Sequence, residues 1–315
     1  MDVVRVSGLL VVNVGSSSLK LDVVQDDESV TTSQHIDDWD GQTEPIATLL
    51  DEHHPDAVGH RIVHGGNTFD GPRIVDERVL VGIEALIPLD PLHQPRTLAG
   101  LRAARDAAPG LTQVACFDTT FHRTMPFEAS NYAVPRHWID ELGVRRYGFH
   151  GLSHAYVARR AAELCHRPLN ELRIVSCHLG SGASLCAIDA GRSVDTTMGM
   201  TPLDGLVMGT RPGTIDPALV GWLCSQHGMS LPYVEEQLQR RSGLLGLAGS
   251  ADLADLLQSD DSAAAEAAAL YVHRLCGSIA AMTASLGGVD VIAFAGGVGE
   301  HVPEIRALVR RGINN

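Results

Sequence analysis

Two related α/β halves are what the sequence predicts, and three observations carry that expectation. At 315 residues the chain exceeds what one ordinary hydrophobic core organises, so two domains are the default. LLVVNVGSSSLKLDVV at 9–24 reads as a strand, a tight Gly/Ser tip and a returning strand. IVSCHLGSGASLCAID at 174–189 repeats that plan about half a chain length later: apolar strand, polar residue, Gly-Ser, small residues, apolar strand. A repeat at that distance is a duplicated domain and not a solenoid.

The elements follow in order. Residues 9–13 and 19–24 are the strands of the first hairpin, and 14–18 are its tip. A strand near 56–63 runs into His64-Gly65-Gly66. Residues 96–108 read as a helix, and VACFD at 114–118 as a buried strand ending on an acid. Residues 155–166 form a helix that leads into the second hairpin. An Ala-rich helix at 263–286 precedes a strand at 289–295, a loop at Gly296-Gly297-Val298-Gly299 and a helix at 302–311. Strand, glycine loop and helix together suit a phosphate, because helix N-terminal amides attract anions. No G-x-x-x-x-G-K-[ST] sequence is present. The expected division is an N-terminal domain at 1–122 and a C-terminal domain at 123–315.

Composition excludes several function classes. The formal net charge of −14 opposes a nucleic-acid or acidic-membrane surface, since both attract basic faces. An anionic ligand would therefore meet positive charge only locally. The opening MDVVRVSGLLVVNVG lacks a basic leader, carries Asp2 and breaks its apolar run at Asn13, so it reads as a strand and not a secretion signal. No apolar run of the roughly 18 residues that spanning requires occurs, and a cytoplasmic enzyme is expected. The six cysteines show neither C-x-x-C nor zinc spacing and read as free thiols.

The hairpin tips carry the chemistry. Backbone amides at a tight Gly/Ser tip can cradle phosphate oxygens, and serine hydroxyls add donors. Lys20, the only lysine in the chain, follows the first tip directly. A compact ammonium suits a phosphate; a lone Lys on a strand face is the other reading. Asp118 ends a buried strand, where an acid requires a cation or hydrogen bonds, or else caps the following turn.

The motifs VNVGSSSLK, GHRIVHGG (59–66), PLHQP (91–95), FDTTFHRTMP (117–126), RRYGFHGLSH (145–154), HLGSGASL (178–185), DTTMGMTPLDGLVMGTRPGTIDPA (195–218) and FAGGVGEH (294–301) together resemble the acetate kinase family, in that family's order and over nearly the whole chain. The resemblance implies a duplicated actin/sugar-kinase/Hsp70-like (ribonuclease H-like) fold with a central cleft. It implies direct in-line transfer of the ATP γ-phosphate to acetate, with Mg²⁺ (or Mn²⁺), in a homodimer whose contact lies mostly in 123–315.

By that resemblance Arg61 and Arg211 hold the carboxylate and the transferring phosphoryl group. Two guanidiniums at that place neutralise charge on a loose transition state. Asp118 and Asn13 lie by the metal, and His150 joins Arg211 at the transition state, with His154 structural. Lys20, His178, Gly180, Ser181, Gly182, Asp252, Gly296, Gly297, Gly299 and Glu300 face ATP. Val63, Leu92, Phe149 and Pro202 line a small acyl pocket; plain core packing is the alternative for all four. Two positions depart from the family pattern: Ala254 where an Arg two residues after Asp252 is usual, and His301 in place of Asn. The family also continues beyond the segment matching 294–311, supplying a Glu near the metal and a further helix; either the sequence is cut short or the protein lacks that element, and in the second case the metal site has one acid fewer. Propionate or butyrate kinase activity, and nucleotide binding without turnover, are the competing readings. A sugar kinase or chaperone-type ATPase is disfavoured, because it gives the arginines of HRIVHGG and MGTRPGTIDP no role.

Overall fold

The computed structural model describes residues 8–15, 18–91 and 93–314. Its contacts divide the chain into two units, Met1–Thr120 and Phe121–Asn315. Each unit is built on one twisted sheet.

In the first unit the sheet runs β3(Val30–Asp37), β2(Ser18–Val24), β1(Leu9–Val14), β4(Ala57–Ile62), β6(Thr112–Phe117), β5(Arg73–Ile74). β1 pairs antiparallel with β2 and parallel with β4, and β4 pairs parallel with β6. The alternation in LLVVNV decides which face is covered: Leu10, Val12 and Val14 are buried and the residues between them are half-buried. Helices Glu44–His53 and Gln94–Ala107 close over that face and seal a core with Leu19, Leu21, Ile46, Leu49 and Ala104. A second cluster joins Ile62, Ile83, Leu98, Leu101 and Phe117, with Phe69 stacked on Phe117 at 4.3 Å. Burying one such side chain contributes about 1.5–3 kcal/mol, so the covered face fixes the register of every strand. The helix Glu77–Glu84 starts where the Asp76 carboxylate accepts the Val79 amide at 2.8 Å.

The second unit repeats the scheme. Its sheet order is β10(Val291–Ala295), β7(Arg173–Leu179), β8(Ala183–Asp189), β9(Arg192–Thr196). β7 pairs antiparallel with β8 and parallel with β10, as β1 does with β2 and β4. The two hairpins foreseen from the sequence thus hold the same place in two sheets. His178 stands opposite Ser184 where Asn13 stands opposite Lys20. The helix Gly151–Leu164 covers one face through Ala158, Ala161 and Ala162 on Ile174, Cys186 and Ile188. The long helix Ser262–Ser285, capped by Asp261, buries Ala264, Ala267, Tyr271, Leu275 and Ile279.

One expected loop is a helix. Gly296–His301 is helical from its first residue, although Gly-Gly-Val-Gly reads as a loop by propensity. Two constraints fold it. Gly296 has φ 79°, and a Cβ there would lie 2.6 Å from the Leu179 carbonyl. Its amide also donates to the Glu300 carboxylate at 3.1 Å, which closes the turn. Local glycine entropy is outweighed by a side-chain cap and by close strand packing.

The first unit carries a pH signature. Burial holds His60 down to about 4 despite its 2.8 Å hydrogen bond with Gln113, and burial does the same to His64. The unfolded chain binds protons on these imidazoles near 6.5, while the folded chain resists until about 4. The stability is therefore intact above the unfolded value and lost as pH falls through that window. The denaturation midpoint should decline from pH 6.5 towards 4, and His60→Gln should flatten part of the decline.

Candidate active site

The first unit gathers three of the expected residues around one guanidinium. Arg61 is the penultimate residue of β4 and Asp118 directly follows β6, two strands in parallel register. Arg61 Nε and Nη2 both donate to Asp118 Oδ2, at 3.0 and 2.6 Å. Arg61 Nη1 donates to Asn13 Oδ1 at 3.2 Å. The Asp118 charge raises the Arg61 pKa further, so the guanidinium is permanently cationic. The carboxylate has almost no solvent contact, and Arg61 supplies the cation that a buried acid requires. Both residues expected at a metal thus touch Arg61, Asn13 through Oδ1 and Asp118 through Oδ2, and Asp118 Oδ1 stays outside the pair. Among the described residues no group of three or more His, Cys, Asp or Glu is placed to hold a metal ion. That donor set fits Mg²⁺ carried on a polyphosphate, which needs one carboxylate contact and no protein cage.

Lys20 also lies in this unit, about half exposed, with its ammonium 3.2 Å from Asp22. Val63 is buried just beyond β4, and Leu92 lies outside the described residues.

The second unit assembles the larger set. His150 caps the helix Gly151–Leu164 in a left-handed conformation, φ 57°, two residues after Gly148 at φ 73°. A non-glycine residue there is uncommon, and such strain clusters where a side chain must be aimed. The imidazole stacks on His178 at 4.3 Å and reaches the second hairpin's tip. A Cβ on Gly182 would lie 3.5 Å from His150 Nε2 and 4.0 Å from Arg211 Nη1. Imidazole, guanidinium and glycine tip therefore surround one small space.

Arg211 is held by backbone bonds. Its carbonyl accepts the Met208 amide at 3.0 Å, and the Gly209 amide donates to the Ser181 carbonyl at 3.3 Å, tying the turn to the hairpin tip. Gly243, φ 61°, packs under this turn so closely that a Cβ would lie 2.2 Å from the Met208 carbonyl. Arg211 Nη1 donates to the Pro202 carbonyl at 3.2 Å. Phe149 is buried, and its carbonyl accepts from His122 Nε2 at 2.9 Å. Of the four acyl-pocket residues, Phe149 and Pro202 lie in this unit and Val63 in the other.

Beside the tip lies a cavity of about 520 Å³ whose walls include Gly180, Ser181, Asp252, Gly297 and Val298. Parallel pairing sets Ala295 beside His178, which brings the helix Gly296–His301 against the tip. Gly299 is the buried residue of that helix, and Glu300 caps its start. Asp252 also caps a helix, Leu253–Gln258, by accepting the Ala254 amide at 2.8 Å.

Comparison with known proteins settles the family. The acetokinase family model matches residues 42–315. The acetate kinase of Leifsonia xyli subsp. xyli is 44% identical over 98% of this chain and 86% of its own length. The acetate kinase of Staphylococcus carnosus is 43% identical over 98% of this chain and 80% of its own length. The chain belongs to the acetokinase family. Among solved structures, Porphyromonas gingivalis acetate kinase superposes with TM-score 0.87 at 36% identity, covering 96% of this chain and 86% of that one. A propionate kinase from Francisella tularensis superposes with TM-score 0.92 at 33% identity, covering 98% and 88%. The fold is the actin/sugar-kinase-like one of these acetokinases, and membership makes the chain an enzyme of the kinase class.

In this acetokinase Ala254 and His301, the two positions expected to depart from the family pattern, line the cavity beside the tip. Sequence reading missed three serines. Ser184 Oγ lies 2.9 Å from His150 Nδ1, Ser153 Oγ 2.8 Å from His178 Nδ1, and Ser176 Oγ 2.8 Å from His154 Nδ1. The one available signal was strand period: Ser176 and His178 share a face of β7, and the cross-strand partner of His178 is Ser184. Among the described residues no helix is long and apolar enough to cross a membrane.

The Arg61–Asp118 pair generates a prediction. Arg61→Gln leaves the Asp118 carboxylate buried without its cation, so the variant should lose about 3–5 kcal/mol in chemical denaturation. Arg61→Lys should recover part of this, because one ammonium cannot reproduce two guanidinium N–H groups converging on Asp118 Oδ2 while a third reaches Asn13.

Proposed function

We propose that this acetokinase is an acetate kinase, reversibly transferring the γ-phosphoryl group of ATP to acetate to give acetyl phosphate and ADP. The convergence of His150, Arg211 and the Gly182 tip on one space is the observation that carries this reading. Neutral donors and one fixed cation there match a phosphoryl group gathering charge in flight, and family membership supports the acceptor.

Acetate is ionised at neutral pH, so no general base is needed. A carboxylate oxygen attacks the γ-phosphorus as the bond to the β–γ bridging oxygen breaks, and ADP leaves with that electron pair. Catalysis then consists of alignment and charge neutralisation. Arg61 binds the carboxylate, and its bonds to Asp118 and Asn13 keep the guanidinium from swinging. Arg211 and His150 donate to the equatorial phosphoryl oxygens. Ser181 and Gly182 present amides to the phosphates, while the Gly180 amide donates to the Gly182 carbonyl at 3.0 Å and shapes the tip; His178, Lys20, Gly296, Gly297, Gly299 and Glu300 complete the nucleotide's surroundings. The 520 Å³ cavity takes the nucleoside; Ala254 leaves its wall small and uncharged there. Mg²⁺ would add neutralisation on the polyphosphate, with Asp118 Oδ1 and Asn13 the residues to hold it. Val63, Leu92, Phe149 and Pro202 limit the acyl chain.

The resemblance to a propionate kinase structure favours a second reading, a preference for propionate. One methylene is worth only about 1–3 kcal/mol of discrimination, so the two activities are a matter of degree.

Hydroxylamine trapping of acyl phosphate, with ATP, Mg²⁺ and each short acid in turn, should give acetate the highest kcat/KM. Absence of any acyl phosphate, with ATP still binding by calorimetry, would leave a nucleotide-binding protein. Arg211→Ala should lower kcat by about 10²–10³, and unchanged turnover would remove Arg211 from the mechanism.

A further inference from the structure

We propose that Ser176, His154 and Ser184 form a one-directional hydrogen-bond relay that holds His150 as a neutral imidazole with its proton on Nε2. This rests on the reading of His150 as a donor to the phosphoryl group, and it assigns positioning roles to three residues that do not touch the substrate.

The chain of contacts is short and buried. Ser176 Oγ lies 2.8 Å from His154 Nδ1, His154 Nε2 lies 2.8 Å from Ser184 Oγ, and Ser184 Oγ lies 2.9 Å from His150 Nδ1. Ser176, His154 and Ser184 have no measurable solvent exposure. Four polar groups in a row share a fixed number of protons, so their directions follow by counting.

Counting starts at the deep end. The Ser176 hydroxyl has one proton, no solvent exposure, and His154 Nδ1 as its side-chain partner. It therefore donates, and His154 Nδ1 is bare. Burial, together with neighbouring His122 and His178, holds His154 neutral, well below the ordinary imidazole value. Its single proton then sits on Nε2 and is donated to Ser184 Oγ. Ser184 has one proton left to place, and His150 Nδ1 is the acceptor that remains. With Nδ1 accepting, the His150 proton stands on Nε2, the nitrogen that reaches the Gly182 tip.

The reverse order is costly. It would leave the Ser176 hydroxyl without an acceptor in a dry interior, at about 1–3 kcal/mol by general experience. It would also turn a bare Nε2 lone pair, or a full imidazolium, towards the tip. The Arg211 guanidinium across Gly182 disfavours added positive charge at His150. The relay so ensures that the nitrogen meeting an anionic phosphoryl group always carries a hydrogen, with no proton taken up from solvent.

The test reads the proton directly. In long-range ¹H–¹⁵N spectra of the resting, histidine-labelled protein, His150 (assigned by its loss in His150→Gln) should show a protonated Nε2 and an unprotonated Nδ1. A protonated Nδ1, alone or with Nε2, overturns the proposal. For function, Ser184→Ala should lower kcat about tenfold, the scale of one lost hydrogen bond, with KM for ATP and acetate within about twofold. Ser184→Thr, which keeps the hydroxyl on a strand residue, should restore most of the rate. In a His150→Gln background Ser184→Ala should cost nothing further, and a second full tenfold loss there would also overturn the relay. A wild-type protein making no acyl phosphate counts against the kinase reading alone, since the spectra need no turnover.

Discussion

Parallel pairing of β7 with β10 is the constraint from which the second unit's chemistry follows. It places Ala295 beside His178, so the hairpin tip and the start of helix Gly296–His301 emerge at the same edge. In α/β sheets that carboxyl edge is where ligands are met, because amides point outward there and no strand continues to fill the space. The rest is hung from this edge. The Ser181 carbonyl anchors the Arg211 turn through Gly209, Gly243 leaves room beneath that turn, and His150 leans on Gly182 from the end of its helix.

The molecule handles charge sparingly. With a net charge of −14 it cannot draw an anion by its overall field, so attraction has to be local. Arg61 is locked on Asp118, which reduces its net charge while fixing its direction. Around the second tip the donor groups are mostly amides, serine hydroxyls and imidazoles, with Arg211 as the guanidinium among them. Neutral donors stabilise charge that appears during transfer without binding the ground-state phosphate too tightly, which is where catalytic advantage lies.

Duplication explains the frame and not the roles. In the first unit the hairpin pair is Asn13 with Lys20, and the neighbouring parallel strand carries Arg61; in the second the pair is His178 with Ser184, beside Ala295. One backbone scheme thus presents an amide, an ammonium and a guanidinium in one half, and an imidazole and a hydroxyl in the other. Equivalent positions thus carry different chemistry on one shared frame.

The sequence by itself determined the hairpins, the strands near 56–63, 114–118 and 289–295, the main helices and the candidate residues, because alternation, turn residues and caps act over a few neighbours. It also made the duplication legible, through two tips of similar composition. Only the tertiary structure decided what those residues touch. Asp118 could have been a turn cap or a cation's partner until β4 and β6 paired and put Arg61 on it. Gly296–Gly299 became helical because Leu179 and Glu300, neither in the glycine run, closed the turn. Ser176 and Ser184 carry no mark that separates them from other serines. Their meaning comes from a helix folding over the sheet and bringing His154 and His150 between them, a contact across 22 to 34 residues that no local pattern encodes.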